Sequence, residues 1–373
     1  MNKIPPVDLT QQYQAIASEV ESAVLAVLAS GRYIGGPLVQ AFEEDLARAT
    51  GTEFAISCNS GTDALYLSLR AANIGPGDRV ITTPFTFIAT AETISAVGAT
   101  PVFVDIDEKT FNLDLNQVED AITEQTKAII PVHLFGQPVD MTRVMEIANR
   151  HNLTVIEDCA QAAGATWQGA AVGSCGQVGC FSFYPTKNLA AYGDGGALTT
   201  NDSAIADRVR VLRDHGRRTG YYHEEVGVNS RLDTLQAAIL QIKLKYLPEW
   251  NQHRQKVAEH YHQLLEPITD IIRPQAIPGG QSVWNQYTIR VGDGSSARYR
   301  DRIQQHLREE GVISSVYYPL PLHLQPVYKD LGYQQGQLPI SERESHRVLS
   351  LPMFPELTPE QQEQVVYCLK HAL

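Results

Sequence analysis

From about residue 50 to residue 200, short apolar runs rich in β-branched residues alternate with stretches of helical period. The runs Phe54–Ser57, Arg79–Thr83, Pro101–Val104, Ala128–Val132, Thr154–Glu157 and Gly179–Phe183 read as strands. Between them Thr62–Ala72, Thr86–Val97, Leu115–Thr123 and Val139–His151 read as helices; in the first, Leu65, Leu69 and Ala72 share one face. This alternation predicts βαβ units, hence an α/β fold with a mainly parallel sheet covered on both faces. Ligands of such sheets collect at the carboxyl ends of the strands.

Further along, a long helical pattern runs from near Arg231 toward Leu265, and Pro248 is expected to kink or break it. The Pro/Gly-punctuated stretch 272–280 reads as a loop. It is followed by a strand around Tyr287–Val291, a helix around Arg298–Glu310 and a Pro-rich turn at Tyr317–Pro326. A chain of 373 residues accommodates two domains. The expected division is a large domain over residues 1–250 and a smaller α+β domain over 251–373.

A net charge of −12 argues against sequence-independent nucleic-acid binding, which needs an excess of Lys and Arg. The segment Met1–Thr10 lacks the apolar core of a signal peptide, and no stretch has the apolar length of a membrane helix. The cysteines are five, an odd number, with no CxxC pair. They read as reduced thiols of a cytoplasmic protein, with no metal site among them.

Four segments place chemistry at predicted strand ends or helix starts. Cys58-Asn-Ser-Gly-Thr-Asp63 joins a strand to a helix, so Gly61 and Thr62 offer backbone N–H groups to a phosphate. An ordinary helix cap by Ser60 or Thr62 accounts for the same residues. In Thr154-Val-Ile-Glu-Asp-Cys-Ala-Gln161, Asp158 follows an apolar strand and suits a protonated pyridine nitrogen, with Gln161 about a turn further on; the alternative is a capping Asp. In Ser182-Phe-Tyr-Pro-Thr-Lys187, a Pro turn after a strand presents one amine beside a small hydroxyl, ahead of the Gly-rich loop Gly193-Asp-Gly-Gly196. That suits a Schiff base to a phosphorylated aldehyde cofactor, against the plain reading of a surface lysine. Val226-Gly-Val-Asn-Ser-Arg-Leu-Asp233 leads into the long helix, and its simplest reading is a helix entry.

In order and chemistry together, these segments resemble the DegT/DnrJ/StrS family of pyridoxal-phosphate (PLP) sugar aminotransferases. The resemblance spans nearly the whole chain and is most specific at Gly31-Arg-Tyr-Ile-Gly-Gly-Pro37, Asn59-Ser-Gly-Thr-Asp-Ala-Leu65, Thr83-Pro-Phe-Thr-Phe-Ile-Ala-Thr90, Val155-Ile-Glu-Asp158, Ser182–Lys187 and Gly227-Val-Asn-Ser-Arg231. It implies a three-layer αβα large domain of the aspartate-aminotransferase type. It also implies that Lys187 bonds pyridoxal 5'-phosphate, Asp158 pairs with the ring nitrogen and Gln161 contacts the ring hydroxyl side. Gly61, Thr62 and Ser182 take the phosphate, and Phe87 stacks on the ring. Asn229 reaches the phosphate of a neighbouring subunit, which makes a homodimer with shared sites. Many relatives carry Gly where this chain has Asn59 and Glu where it has Asp194, changes that leave the proposed donors in place.

The implied reaction is transamination from L-glutamate, leaving 2-oxoglutarate, to a nucleotide-linked ketosugar, with Lys187 as general base. The resemblance leans toward amination at C3, including 3-keto-glucuronate types, with a C4 branch as the alternative. Arg231 is a candidate for a carboxylate or diphosphate, or forms an ion pair with Asp233. Tyr317, Tyr318 and His323 form a candidate sugar-facing loop, or simply aromatic cover. Two further readings share the fold: a PLP-dependent dehydratase, disfavoured by the retained Lys187, and a non-catalytic regulatory protein.

Overall fold

The computed structural model describes residues 3–373; Met1 and Asn2, part of the N-terminal reading above, lie outside them. Seven strands form the central sheet: β1 (Phe54–Cys58), β2 (Arg79–Thr82), β3 (Thr100–Phe103), β4 (Thr126–Ile129), β5 (Thr154–Asp158), β6 (Val178–Ser182) and β7 (Gly196–Thr200). Their spatial order is β1-β7-β6-β5-β4-β2-β3. Every pairing is parallel except the two made by β7. β7 was absent from the sequence reading because its Gly196-Ala-Leu-Thr-Thr200 follows the glycine loop without a break in composition.

Neighbouring strand residues point to opposite faces, which divides the sheet's apolar side chains between two layers. On one face Val80, Ala128, Ile156 and Leu198 join a core with α3 (Gly61–Ala71), α4 (Ala89–Ala96) and α6 (Ser203–Leu212). On the other, Ala55, Phe181 and Ala197 pack with α2 (Pro37–Thr50) and the first half of α7 (Thr234–Leu265). Also on that face, Ile81, Ile129 and Val155 pack with α5 (Met141–His151). The result is the three-layer α/β sandwich that the alternating pattern predicted.

A second core gathers the other half of α7 with α8 (Arg298–Glu309), α10 (Pro359–Ala372) and an antiparallel sheet of β8 (Ile271–Ile272), β9 (Tyr287–Val291) and β10 (Val348–Leu351). Ile4 also enters this core and pairs with Val312. We propose that the division between domains lies at the middle of α7, with the N-terminal segment belonging to the smaller unit.

Two local expectations are corrected. α7 runs on through Pro248, so the break allowed for there does not occur; buried residues on both sides, Leu247 and Trp250 among them, hold its turns in place. The stretch Leu115–Thr123 forms only a short 3-10 turn at Glu119–Ala121. There the Asp114 carboxylate accepts from the Asn116 N–H at 3.0 Å and from the Gln117 side chain at 2.7 Å, a local arrangement that competes with helix.

Candidate active site

The carboxyl ends of β1, β5 and β6 meet over one cavity of about 430 Å³. Gly61, Thr62, Phe87, Asp158, Gln161, Ser182, Lys187, Tyr317 and Tyr318 all line it. Asn229, Arg231 and His323 do not line it. Asn229 is exposed, and Arg231 is held by Asp214 at 2.9 Å rather than by Asp233. His323 is buried against Glu342 at 3.1 Å, with the Tyr333 ring at its edge, and does not face the cavity.

Ser60 caps α3, its hydroxyl accepting from Asp63 N–H at 3.1 Å, while its carbonyl takes Ala64 N–H at 3.0 Å. The cap and the anion site are therefore compatible. Asp63 and Ala64 are satisfied by Ser60, and the preceding N–H groups of Gly61 and Thr62 stand at the positive end of the helix dipole. A glycine is required at 61: a Cβ there would lie 2.6 Å from Ser182 Cβ. This close approach brings the Ser182 hydroxyl alongside the helix tip.

Asp158 ends β5 with its backbone fixed on both sides, its N–H donating to Pro131 O at 2.9 Å and its carbonyl accepting from His133 N–H at 3.1 Å. Oδ2 accepts from the Thr90 hydroxyl at 2.8 Å and Oδ1 from Ala160 N–H at 3.1 Å. Burial pushes this carboxyl above its ordinary range, and the two donors and the Lys187 charge pull against that. Lys187 closes a turn after Pro185, donating its N–H to Tyr184 O at 2.9 Å. Its amine makes no ion pair among the described residues, and burial lowers its pKa from 10.5 to about 8, against the pull of Asp158. Part of the residue still reaches the cavity. Gln161 is anchored from behind, Oε1 accepting from Phe135 N–H at 2.6 Å, and its Nε2 lies 3.4 Å from the Tyr318 hydroxyl.

The sequence reading missed Thr90, Tyr184, Thr186 and Gln286, all of which line the cavity. A signal existed for Thr90: it follows Thr86 by one helical turn, and their hydroxyls lie 3.1 Å apart. Behind the site, Glu157 points to the opposite side of β5 and accepts from the N–H groups of Gly173, Cys175 and Gly176 at 2.7–2.9 Å. It also meets His133 Nε2 at 2.9 Å. His133 Nδ1 accepts from Val139 N–H at 3.0 Å, so Nε2 carries the proton and donates. Neither imidazole nitrogen has a lone pair to spare for a metal, although Cys159 is close by.

Residues 14–370 match the DegT/DnrJ/EryC1/StrS aminotransferase family. The chain belongs to that family. A "Pleiotropic regulatory protein" from Geobacillus stearothermophilus is 50% identical over 97% of this chain and 96% of its own. An Acidithiobacillus ferrooxidans protein named UDP-N-acetyl-3-dehydro-alpha-D-glucosamine 3-aminotransferase is 44% identical over 99% and 98%. The crystal structure of S. venezuelae DesV in complex with a ketimine intermediate superposes with a TM-score of 0.96 at 42% identity, covering 100% of this chain and 98% of that one. Solved relatives of this aminotransferase family hold the cofactor in its pyridoxal and pyridoxamine forms. The protein is a sugar aminotransferase and its cofactor is pyridoxal 5'-phosphate. Its own residues fit that group: an amine without an ion pair, a buried carboxylate with two donors behind it, and a helix tip cleared of side chain at Gly61. Among the described residues no helix is long and apolar enough to cross a membrane.

Proposed function

We propose that this aminotransferase moves an amino group from L-glutamate to C3 of a nucleotide-linked 3-keto sugar, leaving 2-oxoglutarate. The observation that carries the reading is that Lys187, Asp158 and the α3 tip at Gly61 and Thr62 all line one cavity. The A. ferrooxidans relative, whose name specifies a 3-aminotransferase, supports C3.

PLP, when bound, supplies an aldehyde that carries the amino group and a ring that takes up electron density. Gly61, Thr62 and Ser182 hold its phosphate, and Phe87, 58% exposed in the single chain, covers the ring face. Gln161 sits on the ring hydroxyl side, fixed by Phe135. Asp158 holds a proton on the ring nitrogen; a cationic partner restores the ionised state that burial alone opposes. Lys187, with its basicity reduced by burial, is about half neutral near pH 8 and in that form takes the proton from the carbon next to the transferred nitrogen, then returns it on the far side of the exchange. Tyr317 and Tyr318 wall the space left for the sugar.

Asn229 is exposed and outside its own cavity, which supports its reaching the phosphate site of a second copy in a homodimer. The free thiols, most of them buried, support a cytoplasmic setting. The test is to convert the cofactor with L-glutamate, then offer nucleotide-linked 3-keto and 4-keto sugars. Faster amination of the 3-keto sugar is expected. Preference for the 4-keto sugar moves the chain to the C4 branch, and no half-reaction with glutamate would reinstate a regulatory role.

A further inference from the structure

The amides of Asn188, Asn251 and Asn285 do not line the cavity that Lys187 and Gln161 share, yet they tie those two residues together. Asn285, just before β9, donates from Nδ2 to Asn188 Oδ1 at 2.7 Å. Asn188 is the residue next to Lys187, and its own Nδ2 donates to Asn251 Oδ1 at 2.8 Å and to Val283 O at 2.9 Å. Asn251, on the second half of α7, donates from Nδ2 to Ala163 O at 3.0 Å, shortly beyond Gln161 in the chain. On the other side, the Asn285 backbone N–H donates to Phe135 O at 2.9 Å, and Phe135 N–H donates to Gln161 Oε1 at 2.6 Å. These hydrogen bonds close a ring. It leaves the Gln161 side chain through Phe135, passes through Asn285, Asn188 and Asn251, and returns by Ala163 to the Gln161 backbone.

Backbone carbonyls fix the direction of each amide. Ala163 O and Val283 O only accept, so Asn251 and Asn188 turn their NH2 groups toward them. Asn188 is left with its oxygen toward Asn285, which presents NH2 in turn. Asn285 Oδ1 then has no donor, and it is buried without one. A further cost sits at Phe135, which holds a left-handed backbone at φ 60° without being glycine. The next residue, Gly136, has φ +91°, and a Cβ there would lie 2.9 Å from Asn285 N. Apolar side chains would fill the same interior without an orphaned acceptor. Unfavourable features of this kind persist where surrounding contacts over-determine a geometry that a site uses. Asn188 and Asn285 are buried, so water does not compete for their link.

We infer that Asn188, Asn251 and Asn285 are positioning residues: their ring holds the Lys187 segment against Gln161 and so fixes where the amine stands relative to the cofactor. This rests on the amine-transfer reading above, in which Lys187 and Gln161 both meet that cofactor. The ring acts on the geometry of proton transfer and not on substrate binding, because its amides stay outside the cavity.

The experiment uses the PLP-loaded enzyme and the L-glutamate half-reaction, with the rate expressed per bound PLP. Asn285→Asp opens the ring at its Asn188 link and Asn251→Asp at its Ala163 link, each replacing the donating NH2 by oxygen at constant size. In each variant the limiting rate is expected to fall about tenfold, with the half-saturating glutamate concentration within about twofold of wild type. In the double variant the loss stays within about threefold of the larger single loss, because a ring opened once is open. Asn251 is only partly buried, so Asn251→Asp decides by the split between rate and saturation if Asn285→Asp does not fold. An unchanged rate per bound PLP in Asn251→Asp, even with a lowered Tm, overturns the inference. So does a loss seen only in glutamate saturation, or losses that multiply in the double variant; amine transfer stands in all three cases. A wild-type enzyme without the glutamate half-reaction overturns the parent reading and this one together.

Discussion

The Thr90 hydroxyl donates to Asp158 Oδ2 at 2.8 Å across 68 residues of sequence. It comes from the first turn of α4, and Asp158 comes from the end of β5. The contact connects one layer of helices to the sheet at the point where the ring nitrogen of the cofactor is expected. Without such donors a buried carboxyl drifts toward its neutral form, which cannot hold a proton on a pyridine nitrogen. In Thr90→Val the β-branched shape is kept and the donor is lost. A charged hydrogen bond of this kind contributes about 1.5–3 kcal/mol, so kcat/KM is expected to fall roughly 10- to 100-fold, with little change in Tm. Steady-state kinetics beside thermal melts decide the matter; an unaltered kcat/KM removes Thr90 from the chemistry.

Lys187→Ala removes the amine that the Pro185 turn presents. The visible absorbance band of the bound cofactor is expected to shift to that of the free aldehyde, and the glutamate half-reaction to disappear. Phosphate-site contacts remain, so PLP is still retained on gel filtration, more weakly. Survival of the half-reaction would show that another group moves the proton.

Cofactor capture by the apoprotein follows the ionisation of the same amine. Burial lowers its pKa from 10.5 to about 8, and the neutral form is the nucleophile. The rate of band formation on adding PLP is therefore low at pH 6.5, rises through about pH 8 and levels above it. Stopped-flow absorbance across pH reads this directly. A rate still climbing steeply beyond pH 10 would place the amine in bulk-like solvent.

Gly61→Ala introduces a Cβ 2.6 Å from Ser182 Cβ, with Ser182 Cα at 3.0 Å. Backbone and a short side chain must give way together, and overpacking of this kind costs about 1–3 kcal/mol. The expected result is a lower Tm and a Kd for PLP raised about tenfold or more, since the displaced groups are the proposed phosphate donors. Equilibrium titration of the apoprotein tests it; unchanged affinity would move the phosphate away from the α3 tip.

Glu157→Leu tests the support behind the site. The carboxylate accepts from three backbone N–H groups and from His133, and leucine leaves all of them buried without a partner. A loss of more than about 3 kcal/mol is expected from stranding several buried donors. Urea denaturation measures it. A small loss would mean that water enters behind β5 and replaces the carboxylate.

The sequence by itself determined the layers and several of the residues that line the cavity. Apolar runs too short for helices, separated by helical periods, leave a parallel sheet covered on both faces as the way to bury Val80 and Ile81, or Val155 and Ile156, on opposite sides. Gly61, Asp158, Ser182 and Lys187 were legible because each lies at or shortly after a strand end, where chain direction alone delivers side chains to a shared edge. Tertiary structure decided what local pattern does not encode. Thr90 looks like any helical threonine until α4 is laid against β5. Pro248 reads as a break until the packing on both sides of it holds α7 together. His323 reads as a candidate contact until Glu342 takes it out of the cavity. Each of these depends on a partner far away in sequence, and hydrogen bonding and burial between distant segments leave no local period to read.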